Sequence, residues 1–322
     1  MTADWKQRPE GGGWFALWLI RTIARHGGRA VARVLLVPIT LYFLVVRGPE
    51  RRASRAYLGR VLGRRAGLVD VARHIHCFAS TILDRVFMLS GQLDRFDIDI
   101  DGLDGLHAQL DRGKGVLVFG SHLGSFEVLR VLARKRPDVS VRVVLDKGHN
   151  PAITQLLDAL DPEMARSVID AGQSGPSLML AIKEATDEGA LVALLVDRVH
   201  PGHPGHASRF LGAPASFPTA PWLIAAVLKV PVVLAFGLYR GGRRYDLRFE
   251  VFSEGLDVPR SQRSRLLPEL VERYSSRLQH HACDAPYNWF NFYDFWRPDD
   301  TSTHDMVAGD AGAERLAARG GA

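Results

Sequence analysis

The spacing of apolar positions changes along this chain, and each change predicts a different element. Val71, Ile75, Phe78, Ile82, Val86 and Leu89 recur every three or four residues, the signature of an amphipathic helix with one core-facing stripe. His74 and His76 fall within it without a partner ligand on one face, so they read as structural. From Phe96 to Asp101 the period drops to two, with Phe96, Ile98 and Ile100 alternating against Asp97, Asp99 and Asp101, as in a half-exposed strand. A calcium loop would need a glycine and a closing glutamate at fixed offsets, and neither is present.

Downstream, continuous apolar runs at 116–119, 141–145, 191–196 and 232–236 predict buried strands, and the stretches 126–134, 153–160, 177–188 and 221–229 predict helices between them. That alternation implies an α/β fold, a central mixed and mainly parallel sheet covered by helices. Residues 245–252 alternate as an antiparallel edge strand, and Leu266, Leu270, Tyr274 and Leu278 mark a late amphipathic helix. The tail 301–322 has almost no large apolar residue and reads as disordered. Three segments result: a membrane-associated stretch 1–49, a catalytic domain 50–300 and the tail.

The N-terminal stretch departs from both periods. Trp14, Phe15, Leu17, Trp18, Leu19 and Ile20 are followed by VLLVPITLYFLVV at 34–46, thirteen uncharged residues between Arg33 and Arg47. A free-standing span needs roughly twenty, and Pro38 would kink the run, so the pattern suits an interfacial, shallowly inserted helical anchor. Charge sharpens this reading. Residues 1–65 hold thirteen Lys/Arg against three acids, leaving −4 for the rest of a chain whose net charge is +6. Arginine interleaved with aromatic and aliphatic residues favours an anionic membrane surface over nucleic acid. Residues 50–65 read as a basic exposed helix. The overall 47% hydrophobic and 24% charged content excludes a disordered chain and a polytopic membrane protein. Cys77 and Cys283 suggest neither a disulfide framework nor a zinc site and read as buried small residues.

The chemistry concentrates at 120–127, GSHLGSFE, directly after the first buried strand and opening a helix. A loop at the carboxyl end of such a strand is where α/β sheets place ligands, and Gly120 and Gly124 admit close approach. His122 can accept the proton of an attacking hydroxyl, and Glu127, reaching back from the first turn, is expected to bond the other ring nitrogen and fix its tautomer.

The H-x4-E pattern of His122 and Glu127 resembles the signature of the glycerolipid (lysophospholipid) acyltransferase superfamily, and specifically its bacterial lipid A lauroyl/myristoyl acyltransferase family. LLVDR at 194–198, RFLGAPASFPTAP at 209–221 and VLKVPVVLAFGLYR at 227–240 agree in order and spacing, and the similarity runs from about residue 14 to 297. The resemblance implies an O-acyltransferase at the cytoplasmic face of the bacterial inner membrane. It implies an acyl carrier protein or coenzyme A thioester as donor, a membrane lipid hydroxyl as acceptor, and no metal or other cofactor. His122 would be the base and Glu127 its partner, with Asp197, Arg198, Phe210 and Gly212 lining or shaping the substrate cleft. Two departures bear on the acceptor. Where the family has a Tyr-Arg pair before Asn-Pro, this chain reads Asp146-Lys147-Gly148-His149-Asn150-Pro151, with Lys147 the nearby cation; and YNWFNFYDFWRP at 287–298 keeps the family's aromatic bulk but loses its basic cluster. Fewer cations suit a less phosphorylated headgroup than the lipid A disaccharide, and resemble the offshoot associated with aryl-polyene and related pigment lipids.

Rival readings rest on less. His200, His203 and His206 in HPGHPGH could ligate zinc in a hydrolase, although the prolines and glycines make a loop without fixed geometry. Gly172-Gln173-Ser174-Gly175 lacks the spacing of a serine-hydrolase elbow. A non-enzymatic membrane adaptor would leave GSHLGSFE unexplained, and no nucleotide-binding glycine motif occurs.

Overall fold

The computed structural model describes residues 14–148, 151–200 and 203–296. The tail therefore lies outside the described residues, as do His149 and Asn150.

Helix α1 (Trp14–Val46) carries the apolar N-terminal run, α2 (Gly48–Val61) the basic stretch, and α3 (Leu68–Leu89) the amphipathic stripe. The interior break in α1 is at Gly28 (φ 72°, ψ 174°), not at Pro38 as expected. A positive φ carries no steric cost without a Cβ, so the glycine takes the turn and the proline stays helical. Beyond it, Ala32, Leu36 and Thr40 form a buried stripe against α3, and Thr40 Oγ1 bonds His76 Nδ1 at 3.1 Å. Arg29 makes a bidentate pair with the fully buried Asp84 of α3 at 2.7 and 2.9 Å. Helix α2 is not wholly exposed. Ser54, Tyr57 and Leu58 turn inward while Arg52 and Arg60 stay outside. Asp70 starts α3 by accepting from the Gly67 N–H at 2.9 Å, and it also holds Arg64.

The α/β layer follows: β1 (Asp97–Asp101), α4 (Leu103–Leu110), β2 (Val116–Gly120), a 3₁₀ turn (Phe126–Arg130), α5 (Val131–Lys135), β3 (Val141–Leu145), α6 (Pro151–Leu160), α7 (Pro162–Ser167), β4 (Ile169–Asp170), α8 (Gly175–Asp187) and β5 (Leu191–Leu195). The hairpin β6 (Gly205–Phe210) and β7 (Ala213–Pro218) comes next, then α9 (Ala220–Leu228), β8 (Val232–Gly241), β9 (Arg244–Ser253) and α10 (Arg263–Asp284).

Seven strands form one mixed sheet in the order β1-β9-β8-β2-β5-β3-β4, and every pairing in it is parallel except β8 with β9. Both faces are covered, which is why β2 is buried along its whole length and reads as an unbroken apolar run. One large core lies on the α8, α9 and α10 side, and a second lies under α1 and α3. Strand β9 is not the edge its alternation suggested, because β1 pairs alongside it and takes that position. Asp99 on this outer strand spends its charge on Arg248 at 2.8 Å. Cys77 is buried as expected; Cys283 is exposed, and both are unpaired.

Candidate active site

Strands β2 and β5 are parallel neighbours, and their register aligns Gly120 with Leu195. Two residues past each aligned position stand His122 and Asp197, so pairing of the strands by itself brings these side chains face to face. His122 Nδ1 lies 2.8 Å from Asp197 Oδ1, and the His122 backbone N–H donates to Asp197 Oδ2 at 3.1 Å. Asp197 is fully buried, whereas 30% of the His122 side chain is open to solvent. A carboxylate only accepts, so Nδ1 carries the proton and Nε2 keeps its lone pair toward the open side.

Electrostatics reinforce this arrangement. Burial would raise the Asp197 carboxyl, but the facing imidazole, the Arg198 guanidinium and the His122 N–H hold it down at about 2. His122 is pushed below its ordinary value, first by burial and then by the charges of Arg198 and Arg85, against the opposing pull of Asp197. The imidazole is therefore neutral near pH 7, as a proton acceptor must be.

Glu127 bonds Arg85 and Ser125 and not His122, contrary to the expectation from the H-x4-E spacing. The Gly124 backbone takes φ +82°, and a Cβ there would lie 2.0 Å from the Gly237 carbonyl oxygen, so only glycine lets the loop press against β8. Ser125 N–H then bonds Gly237 O at 2.7 Å, and the following 3₁₀ turn aims Glu127 at α3. Its carboxylate lies 2.5 Å from Arg85 Nε and accepts from Ser125 Oγ at 3.0 Å. The histidine's Nδ1 is already taken by Asp197.

Among the residues expected to line the cleft, Arg198 is at the site. Its Nε donates to Asn291 Oδ1 at 2.6 Å, its Nη2 donates to Phe290 O at 3.0 Å, and the guanidinium sits over the Tyr293 ring. Asp197 is there too, as the partner of the histidine. Phe210 is fully buried in an aromatic cluster with Trp289, Phe295 and Trp296, and Trp289 links it to Asp197. Gly212 forms the β6–β7 turn with Leu211, both at positive φ, and its role is the turn itself. Lys147 follows β3, one strand beyond β5; its backbone N–H bonds Asp170 and it lines a small cavity with Thr154 and Leu157. The three loop histidines do not converge. His206 faces Glu272 at 3.4 Å, the rings of His200 and His203 are 6.2 Å apart, and no cluster of three or more potential ligands exists among the described residues.

The sequence marks 287–298 as an aromatic segment bearing on the acceptor but does not show that it walls the His122 site. The segment after α10 runs across the catalytic loop: Gly124 N–H bonds Asn288 O at 2.8 Å, Phe290 N–H bonds His122 O at 2.9 Å, and Trp289 Nε1 donates to Asp197 Oδ2 at 3.1 Å. The Asn288 side chain pairs both ways with the Tyr239 backbone, at 2.7 and 3.1 Å. Arg85 was missed as well, since nothing in its local spacing on α3 sets it apart from other helical arginines.

A neutral, half-open histidine backed by a buried carboxylate, with guanidinium groups beside it, can take a proton from a bound hydroxyl and stabilise the negative charge that develops on acyl transfer. No curated protein matches the chain significantly. The family model for bacterial lipid A biosynthesis acyltransferases does match, over residues 81–265, which is more than half of the chain and includes His122, Glu127 and Asp197; the protein is a member of that acyltransferase family.

Proposed function

We propose that the protein transfers a fatty acyl group from the thioester of an acyl carrier protein or of coenzyme A to a hydroxyl of a membrane lipid, at the cytoplasmic face of the bacterial inner membrane. As the hydroxyl oxygen bonds to the thioester carbonyl carbon, its proton passes to His122 Nε2. The C–S bond then breaks, and the imidazolium returns the proton to the departing thiolate. Asp197 stabilises the transient imidazolium, a role the carboxylate can fill only while it stays ionised. The observation that carries this reading is the bond from His122 Nδ1 to Asp197, which leaves Nε2 as the free base. No metal or other cofactor enters the scheme.

Membrane attachment is supported by the outer face of α1. Val31, Val34, Val37, Leu41, Val45 and Val46 are exposed, and Leu68 and Val69 at the start of α3 extend the same apolar character. The stretch Gly28–Val46 is long and apolar enough to cross a bilayer. Its inner face is nevertheless pinned to α3, and Arg33 reaches Tyr239 on β8, so the reading adopted is a helix seated in one leaflet with arginines of α2 at the headgroups.

The acceptor is proposed to carry less phosphate than a lipid A precursor, a glycolipid or pigment lipid for example, because the arginine expected before Asn150-Pro151 is missing, with Lys147 the nearby cation, and the aromatic segment near 290 lacks a basic cluster. The test is acyl transfer by purified protein in lipid nanodiscs, with each donor and a panel of acceptors, read as ester formation by mass spectrometry. Ester formation that His122→Ala abolishes supports the assignment. Absence of product with every pair, or a fully active His122→Ala variant, overturns it. Equal rates on a lipid A precursor would remove the acceptor proposal alone.

A further inference from the structure

The segment around Trp289 is more than a wall. Its indole is fully buried among Tyr57, Phe210, Phe295 and Trp296, with ring centroids 4.6 to 5.9 Å apart. Its one polar atom, Nε1, donates to Asp197 Oδ2 at 3.1 Å, and the other oxygen of that carboxylate holds His122 Nδ1 at 2.8 Å. The Trp289 carbonyl is held in turn by His74 Nε2 at 2.9 Å, and Ser54 Oγ meets His74 Nδ1 at 2.8 Å. His74 is wholly buried, and that burial pushes it down to about 4, so its ring is neutral near pH 7. A carbonyl only accepts; Nε2 is therefore the donor nitrogen, and Nδ1 accepts from the serine hydroxyl. A chain of donated hydrogen bonds thus runs from Ser54 on α2 through His74 on α3 and Trp289 to Asp197, which accepts from His122 on its other oxygen.

We infer that Trp289 is a positioning residue for the proton acceptor: its indole N–H fixes the rotation of the Asp197 carboxylate, and hence the tautomer and aim of His122, while His74 ties the tryptophan to the helical layer that carries the apolar face. The physical argument is one of counting. Asp197 has no solvent access, and its described donors are His122 Nδ1, His122 N and Trp289 Nε1. Two of these come from His122, one from its ring and one from its backbone, and the backbone N–H shares Oδ2 with the indole. The tryptophan is the donor that ties the carboxylate to a different part of the fold, so that it does not shift together with the His122 loop. A buried carboxylate that loses this donor keeps its charge but loses its fixed angle, and a small misplacement of a catalytic base costs rate rather than affinity.

This inference rests on the assignment of His122 as base, and its test has one arm independent of acyl transfer. Trp289 is replaced by β-(3-benzothienyl)alanine, which keeps ring size and packing and puts sulfur where the N–H was; Trp289→Phe is the genetically encoded counterpart. In protein carrying ¹⁵N-labelled histidine, the His122 Nδ1 proton is expected as a downfield resonance, assigned by its loss in His122→Ala. Its solvent exchange should quicken by about tenfold or more in the isostere. Turnover should fall by about 10- to 100-fold with KM for the thioester within about twofold. An isostere with unchanged exchange and unchanged turnover overturns the inference. Quickened exchange in a protein whose wild type forms no ester would leave the positioning role standing and sink the acyltransfer assignment instead. If Trp289→Phe does not fold, the isostere, which preserves the packing, still gives both readouts.

Discussion

The Glu127 carboxylate is paired with Arg85 on α3 at 2.5 Å and with Ser125, while the carboxylate that holds His122 belongs to Asp197. The two acidic residues of the site therefore have different work. One accepts the Nδ1 proton of His122; the other pairs with a guanidinium whose charge reaches the imidazole.

This division predicts an order of losses. Asp197→Asn should reduce turnover about as severely as His122→Ala, roughly 10²–10⁴-fold. The double variant should be no slower than the worse single one, because the pair acts as a unit. Glu127→Gln keeps the His122–Asp197 bond and should cost less than Asp197→Asn. Single-turnover acyl transfer from a defined thioester measures all four. A Glu127→Gln loss exceeding that of Asp197→Asn would return the orienting role to Glu127.

The position of the acidic limb of the rate profile follows from the same charges. Since burial, Arg198 and Arg85 lower His122, the midpoint of the acidic decline in kcat/KM should lie below pH 6.5, the ordinary imidazole value. Arg198→Gln removes a positive charge that disfavours imidazolium, so the limb should move to higher pH even though the rate itself drops. A limb that stays in place or moves down would show that Arg198 does not act on the base.

Buried His74 makes stability pH-dependent in a defined direction. Unfolded, it binds a proton near pH 6.5; folded, not until about pH 4. Between these values the unfolded chain holds more protons, so stability is full above pH 6.5, falls as pH drops, and has lost roughly 3 kcal/mol from this group by pH 4. His74→Gln, whose amide can reproduce the bond to the Trp289 carbonyl without titrating, should flatten that part of the profile in urea denaturation. An unaltered profile would place the acid sensitivity elsewhere.

Membrane attachment should respond to charges placed on the exposed face of α1. Val34 and Val45 are 70% and 73% exposed, so Val34→Glu together with Val45→Glu should leave the fold intact. Charges at a lipid-facing position are costly enough that flotation with vesicles of phosphatidylglycerol and phosphatidylethanolamine should fall at least about tenfold. Unchanged flotation of the folded double variant would show that lipid does not contact this face.

Much of this molecule was legible from short stretches of chain. The histidine loop after the first buried strand, the strand and helix alternation and the arginine-flanked apolar run are all local patterns, set by side-chain period and turn chemistry within a few residues. The boundaries of α3, β2, β3 and β5 lie within a few residues of where period alone puts them; α3 buries one stripe and β2 both faces in full, whereas β3, expected to be buried, is only half-buried along its length because it lies toward the sheet edge beside the two-residue β4. Partner choice was decided only in three dimensions. Glu127 is five residues from His122 and so looked like its partner, whereas Asp197 is seventy-five residues away and meets it because two parallel strands pair in one register. Trp289 lies a further ninety-two residues on and arrives by the packing of the segment after α10 across the catalytic loop. Period and spacing report which face of an element is buried; which carboxylate or indole ends up within 3 Å of an imidazole depends on strand order and register, and those are settled by the whole core at once.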